Sequence, residues 1–414
     1  MIKNDELLIY TQLDKIDTDD LKQKFISIIK YGKFNLFDSF NIYGSAIFKY
    51  DDTILAYCDK QLSFPLYINK INGTISTKID SNINAANGDA QISFNSNKYG
   101  YVSGNDTFLN NILQLRAGEY CIINRNGCHI NNYTKYTHGI VDSKIELLLL
   151  ELDTIIDNAI RNLIQIANGS NIILSLSSGK DSLIILLKLM EIGYDKVLTY
   201  SFGKHNSYEH FIARNVSKQF GLEYTFLLIE YNKNKLLSLF NYLNLAPYTP
   251  RYLFVPVLEQ LLDYKNDSIF TAGIGGDFLT GRFVHDNMMD IDINNKTMLN
   301  WNMLEYQTKF RNRHIDVYKY YDLKFFMPYF DNDYVKFWNK VPASYKINQY
   351  LYTIYYNYLI KKLNVKLDNY DGVANLYDKA NEEYYVFNLG NKDTDINDEI
   401  KQLYYQYVCN RIGE

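Results

Sequence analysis

The chain has 414 residues, too many for one ordinary domain and comfortable for two. With 47% hydrophobic and 22% charged residues it can bury a large core, which excludes a disordered chain. A net charge of -4 lacks the basic surplus of a nucleic-acid binder. The acidic start, Met1-Ile2-Lys3-Asn4-Asp5-Glu6, reads as neither a signal peptide nor a membrane anchor, and a cytoplasmic protein is expected. The four cysteines, Cys58, Cys121, Cys128 and Cys409, form no CxxC pair, so buried free thiols are expected rather than a zinc or redox site. The 39 tyrosines and 6 prolines suggest no mechanism.

From about Phe34 to Tyr136 short apolar runs alternate with turn residues. Gly44 to Phe48, Thr53 to Tyr57, Pro65 to Ile68 and Glu119 to Ile123 read as strands, and Asn72-Gly73 and Asn126-Gly127 as hairpin turns. Residues 1–140 are therefore expected to form a mainly β domain, ending near His138-Gly139. Beyond it, Ile145 to Ile166 has helical periodicity. Strands at Ile172–Leu176, Val197–Phe202, Tyr224–Ile229 and Ser268–Ala272 alternate with helices at Asp181–Glu191 and Ser207–Phe220, which stop at Gly193 and Gly221. Such alternation predicts that residues 141–414 are an α/β domain built on a parallel sheet, with ligands at the carboxyl ends of its strands.

The sharpest motif is Leu174-Ser175-Leu176-Ser177-Ser178-Gly179-Lys180-Asp181-Ser182, between a predicted strand and a predicted helix. Small residues at Ser177, Ser178 and Gly179 let a polyphosphate approach the backbone, whose amides face an anion that the helix dipole also favours. Ser177 and Ser182 add hydroxyl donors. Lys180 adds a charge for the phosphates and the departing pyrophosphate. Asp181 repels phosphate and makes sense as a ligand for Mg²⁺. GxxxxGK[ST] is absent, so this is no Walker A loop. It resembles the SGGxDS pyrophosphate loop of enzymes that split ATP into AMP and pyrophosphate, with Ser178 for the first glycine. The bland alternative is a small-residue turn capping a helix. A second loop, Ala272-Gly273-Ile274-Gly275-Gly276-Asp277, ends a predicted strand and offers Gly275 to the nucleotide and Asp277 as a second metal ligand.

Together these loops resemble the synthetase domain of the asparagine synthetase family, which includes β-lactam synthetases and lasso-peptide cyclases. Ser201-Phe202-Gly203, Glu209 and Ala213-Arg214 follow in the family's order, and the resemblance places Ser201 and Phe202 near the adenine. Pro328-Tyr329-Phe330-Asp331 is similar to its PFLD segment. In the first half, Asp59, Pro65-Leu66-Tyr67, and Asn111 to Tyr120 are similar to the glutaminase domain, which implies an Ntn-hydrolase-like remnant before a pyrophosphate-loop ATPase. Position two is Ile2 rather than the family's nucleophilic cysteine, so glutamine hydrolysis in this chain is not expected. Ile274 stands where members carry a glutamate or tyrosine, and Gln349 stands at or near the place of a lysine, for which Lys346 is the nearby substitute candidate.

Other polar residues are weaker candidates. His205 and His210 flank the helix after Gly203, while His129, His138 and His314 carry no pattern. Arg282 and His285 follow Asp277 and are placed to meet an anionic substrate, and Arg251 suits a carboxylate. Arg311 and Arg313 look like a solvated face. The expected activity is adenylation of a carboxylate, on a small molecule or peptide, followed by amide formation with an amine, with ATP and Mg²⁺ as cofactors. Lys180, Lys346 and Arg282 are the catalytic candidates. A partner protein supplying ammonia is compatible with that reading, whereas nucleic acid and membrane are not expected partners. Two rivals are a non-catalytic nucleotide-binding or scaffold paralogue, and a thiolation or transfer-RNA-modifying enzyme, against which the unpaired cysteines and acidic balance count.

Overall fold

The computed structural model describes residues 1–3, 6–79, 86–97, 99–139, 144–203, 208–229, 232–252, 254–281, 302–366 and 391–412. The first half is built on an antiparallel sheet. Strands β1 (Ile2–Lys3), β2 (Leu7–Thr11), β3 (Gly44–Tyr50) and β4 (Thr53–Cys58) lie side by side, followed by β8 (Glu119–Asn124) and β9 (Gly127–Asn132). A second sheet holds β5 (Tyr67–Asn69), β6 (Ile75–Ser76) and β7 (Ile112–Gln114) in the order β6-β5-β7. Helix α1 (Thr18–Tyr31) covers one face of the larger sheet, setting Leu21, Phe25 and Ile28 against Ile9, Phe48 and Leu55. The other face, with Ala56, Cys58 and Cys121, packs on Ile68 of the smaller sheet and on Leu66 just before it.

Helix α1 was not expected from the sequence, yet its signals are ordinary. Asp17 accepts from the amides of Asp19 and Asp20, Gly32 closes the helix at φ 63°, and the apolar residues recur at helical spacing. The same half contributes α2 (Gly88–Ser96), likewise not expected from the sequence.

The second half is the α/β layer the sequence predicts. Its sheet runs β12 (Glu223–Leu228), β11 (Val197–Gly203), β10 (Asn171–Ser175), β13 (Ser268–Ala272), and every neighbouring pair is parallel. Ile172, Ile173 and Leu174 are fully buried, as expected of a central strand covered on both faces. Helices α3 (Ile145–Ala167), α4 (Lys180–Ile192), α5 (Tyr208–Gln219), α6 (Lys233–Leu243) and α7 (Phe254–Glu259) alternate with these strands. Then come α8 (Ile315–Tyr320), α9 (Asn332–Lys340), α10 (Ala343–Lys346), α11 (Tyr350–Lys362) and α12 (Asn391–Ile412).

The chain goes outward from β10 through β11 to β12 and returns to the other side of β10 as β13. The strand order therefore reverses between β10 and β13, and in open α/β sheets ligands sit at such a switch point. The two motif loops leave those two strands, directly after the paired residues Ser175 and Ala272. Topology alone brings them together.

One apolar core runs through both halves. Polar contacts join them as well. Tyr43 donates to the Asp331 carboxylate, the Gln61 amide to the Tyr329 carbonyl at 3.3 Å, and the Met327 amide to Gln12 at 2.9 Å. Glu305 and Lys309, on a π-helical turn over Asn302–Arg311, tie Arg116, Val102 and Gly104 of the first half to the second. Arg313, expected on a solvated face, is buried: it donates to the Thr249 carbonyl at 2.7 Å and lies over the Phe310 ring. Among the described residues no helix is long and apolar enough to cross a membrane.

Asp331 has two tasks, since it also caps α9 through the amides of Asp333 and Tyr334. Asp331→Ala removes both, and a loss of about 2–3 kcal/mol of unfolding free energy is expected by urea denaturation. Asp333→Ala, in the same turn but without either task, serves as the near-neutral control.

Candidate functional site

The loop after β10 braces itself. The Ser177 amide donates to Ser182 Oγ at 3.0 Å, the two serine hydroxyls lie 3.1 Å apart, and the Gly179 amide donates to Ser177 Oγ at 3.1 Å. Ser182, expected to offer its hydroxyl to a ligand, is instead buried and holds the loop's shape. Leu176 is also corrected: its amide is engaged by the Tyr200 carbonyl at 2.7 Å and its side chain belongs to the core.

Gly179 begins α4 with ordinary extended backbone and no side-chain cap. A Cβ there would meet only Ser177 Oγ, at 3.2 Å. The first amides of a helix favour an anion, and among the described residues no side chain caps those of α4.

The loop after β13 is pressed onto that helix start. A Cβ at Gly273 would fall 2.7 Å from Asp181 Cβ and from the Ser182 amide, and one at Gly276 would fall 2.7 Å from Asp181 Cγ. These two glycines permit the loops to touch. Gly275 differs from expectation: at φ 90° and buried, it lies against the Phe330 ring, so its requirement is conformational. Ile274 packs against the core.

Asp181 is held from behind by tyrosines. Tyr352 donates to its carboxylate at 2.7 Å, Tyr329 donates to its backbone carbonyl at 2.9 Å, and the two hydroxyls are 3.3 Å apart. Tyr334 donates to the Gly276 carbonyl. Burial, with the Asp181 charge nearby, holds the Tyr329, Tyr334 and Tyr352 hydroxyls well above the usual phenol range, so they stay donors.

Lys180 reaches across to α11. Its Nζ donates to Thr353 Oγ1 at 2.8 Å and to Gln349 Oε1 at 3.3 Å. Burial pulls its pKa down while the Asp181 and Asp277 carboxylates oppose that shift. Gln349 in turn donates to Thr280 Oγ1 at 2.8 Å, and Thr280 donates to the Asp277 carbonyl at 2.7 Å. One glutamine thus links Lys180 of the first loop to the end of the second. It is held in the left-handed region (φ 58°), as is Asn348 before it (φ 50°), a conformation costing about 1 kcal/mol or more per residue. Beside them a cavity of about 450 Å³ is lined by Ser344, Ile347, Asn348, Tyr350 and Thr353.

Lys346 is fully buried. Its Nζ donates to the Thr137 carbonyl at 3.3 Å, and no carboxylate among the described residues pairs with it. Burial brings its pKa down to about 7. The neighbouring His138 is brought down to about 4 by burial and by the Lys346 charge, and its Nδ1 has no partner among the described residues. Gly281, at the end of the second loop, packs on the Lys346 backbone at φ 105°.

Ser201 is nearly buried and shares a hydrogen bond with the Tyr224 hydroxyl, which lies 2.7 Å from His210 Nδ1. Phe202 meets Phe254 edge-on at 5.0 Å. Both stand at the carboxyl end of β11, the end of the parallel sheet from which the two loops leave. Arg282, His285 and His205 lie outside the described residues. Among the described residues no group of three or more metal-binding side chains occurs. Gln349, Thr280, Thr353 and Tyr352 carry no motif, and the left-handed backbone that aims Gln349 leaves no residue-type signal when glycine is not used.

No protein-family profile and no curated protein matches the chain. Among solved structures it is similar to the U34-tRNA thiolase NcsA from Methanococcus maripaludis with its [4Fe-4S] cluster. That match has 13% identity, covers 64% of this chain and 80% of that one, and has a TM-score of 0.27. The resemblance to the asparagine synthetase family is therefore corrected: no profile or curated relative carries it, and the solved structure named here is a thiolase. A likeness at this TM-score carries no argument about what this chain does.

The buried Lys346 makes a checkable demand. Its folded pKa of about 7 lies below the ordinary lysine value of 10.5, so below pH 7 both states are protonated and the cost of burying the charge is complete. That cost fades as pH rises from 7 to 10.5, where the unfolded chain still holds the proton. Lys346→Met should raise unfolding free energy by roughly 4 kcal/mol at pH 6, and far less at pH 10, by urea denaturation.

Proposed function

We propose that the chain activates a carboxylate with ATP and passes the acyl group to an amine. The observation that carries this reading is the uncapped start of α4 at the sheet's switch point, with Lys180, Asp181 and Asp277 gathered around it. Amides at a helix N-terminus with an adjacent lysine suit a polyphosphate. Two carboxylates on touching loops fit a hard cation: Asp181 and Asp277 would hold Mg²⁺, which neutralises phosphate charge.

A carboxylate oxygen attacks the α-phosphorus, the bond from that phosphorus to the bridging oxygen breaks, and pyrophosphate leaves. Lys180 lies where the leaving group's charge grows. The amine nitrogen then attacks the acyl carbon, AMP departs, and the amine loses a proton. Lys346, with a pKa near neutrality beside the end of the second loop, is our candidate acceptor for that proton. Ser201 and Phe202 line the side assigned to the adenine. The cavity beside Thr353 is assigned to the acyl substrate, a carboxylate-bearing small molecule or peptide. The amine comes from the substrate or as free ammonia. Ile274, an apolar side chain packed away in the second loop, favours the alternative of a nucleotide-binding scaffold without catalysis.

Exchange of labelled pyrophosphate into ATP, measured across a panel of carboxylic acids, separates these readings. Acid-dependent exchange is expected, reduced about 100-fold or more by Asp277→Asn. ATP binding by calorimetry with no exchange for any acid favours the scaffold, and no ATP binding by folded protein overturns both. Gln349→Gly tests the bridge: relief of the left-handed strain should leave the thermal midpoint unchanged or raised, while ATP affinity falls about tenfold.

A further inference from the structure

Away from this site, the hairpin β8–β9 brings two cysteines together. In its register Cys121 faces Ile130 and Cys128 faces Ile123, so the cysteines lie on the same face, one diagonal step apart. Their sulfurs are 3.1 Å apart, about 1 Å longer than a disulfide bond. No CxxC spacing announces the pair, because the strands rather than the local sequence bring them together.

We infer that Cys121 and Cys128 are a reactive dithiol that peroxide converts to an intrachain disulfide. The two thiols differ in access. Cys121 is buried among Ala56, Leu66 and Ile68, while Cys128 is partly exposed near the hairpin turn. The hydrogen bond shared by the two sulfurs, helped by the Lys70 charge, lowers the pKa of the more exposed Cys128 thiol, and the same contact with burial pushes Cys121 up. Cys128 is thus the thiolate that meets the oxidant and Cys121 the thiol that resolves it.

The steps balance. The Cys128 thiolate attacks hydrogen peroxide, the O–O bond breaks, and a sulfenic acid and water form once the hydroxide is protonated. The Cys121 sulfur then attacks the Cys128 sulfur, the S–O bond breaks, the S–S bond forms and a second water leaves. The two thiols lose two electrons and two protons, which reduce peroxide to water. Cys58 faces the same apolar layer, but its sulfur lies 4.0 Å from the Phe64 carbonyl and burial pushes its thiol up. It is not part of the pair.

The test uses the full-length folded chain, treated with a small excess of hydrogen peroxide, alkylated and digested with trypsin. Cleavage after Arg116, Arg125 and Lys135 separates the cysteines onto different peptides, so only a disulfide joins them. The expected product is the joined peptide pair, released by dithiothreitol, with a thermal midpoint that rises on oxidation and returns on reduction. Cys128→Ser should give no joined peptide and leave Cys121 alkylated, and Cys121→Ala should leave Cys128 as a sulfenic acid trapped by dimedone. Both cysteines separately alkylated or over-oxidised in the folded wild type would overturn the inference. So would a bridge to Cys58 instead.

Discussion

The contact on which the site depends is that of Asp181 with the backbone of Gly273 and Gly276. A carboxylate at a helix start gains from the dipole, but here it also fills the space two missing side chains leave. Any larger residue at either glycine would push the second loop away, and Asp277 with it. Tyr352 and Tyr329 complete the arrangement by fixing the carboxylate and its carbonyl from the core side.

The chain buries several lysines, and their partners distinguish their purposes. Lys188 meets Asp153, Asp157 and Glu191, tying α3 to α4. Lys309 has Glu305 and two backbone carbonyls, joining the halves of the molecule. Lys346 has the Thr137 carbonyl and a neighbouring histidine that burial, with the Lys346 charge second, keeps neutral. The first two are compensated in the way buried charges usually are. The third is a standing cost to stability, and such costs concentrate where a group must change protonation state.

Much of the α/β layer was legible in the sequence, because strands buried on both faces and helices ending in glycine announce themselves. Ser268–Ala272 has the bounds expected of it, and the other three strands and α3 and α4 are within one residue or so. The positions of the two loops were legible for the same reason, since each directly follows a strand of that sheet. Tertiary facts were not. Gln349 looked like an absent lysine and is instead the link between Lys180 and Thr280. Cys121 and Cys128 looked scattered because register, not spacing, pairs them. The family resemblance rested on short segments in order, and order of short segments is weak when no profile or relative supports it.

The strand order has a consequence for how the protein is made. Strand β10 finds its second neighbour only when β13 exists, and Lys180 finds Gln349 and Thr353 only when α11 exists. During synthesis the first loop is therefore exposed, without its closing partners, while most of the second half is still being translated. A ribosome-stalled chain ending before Gln349 would hold the motif and lack the contacts that Lys180 makes with Gln349 and Thr353.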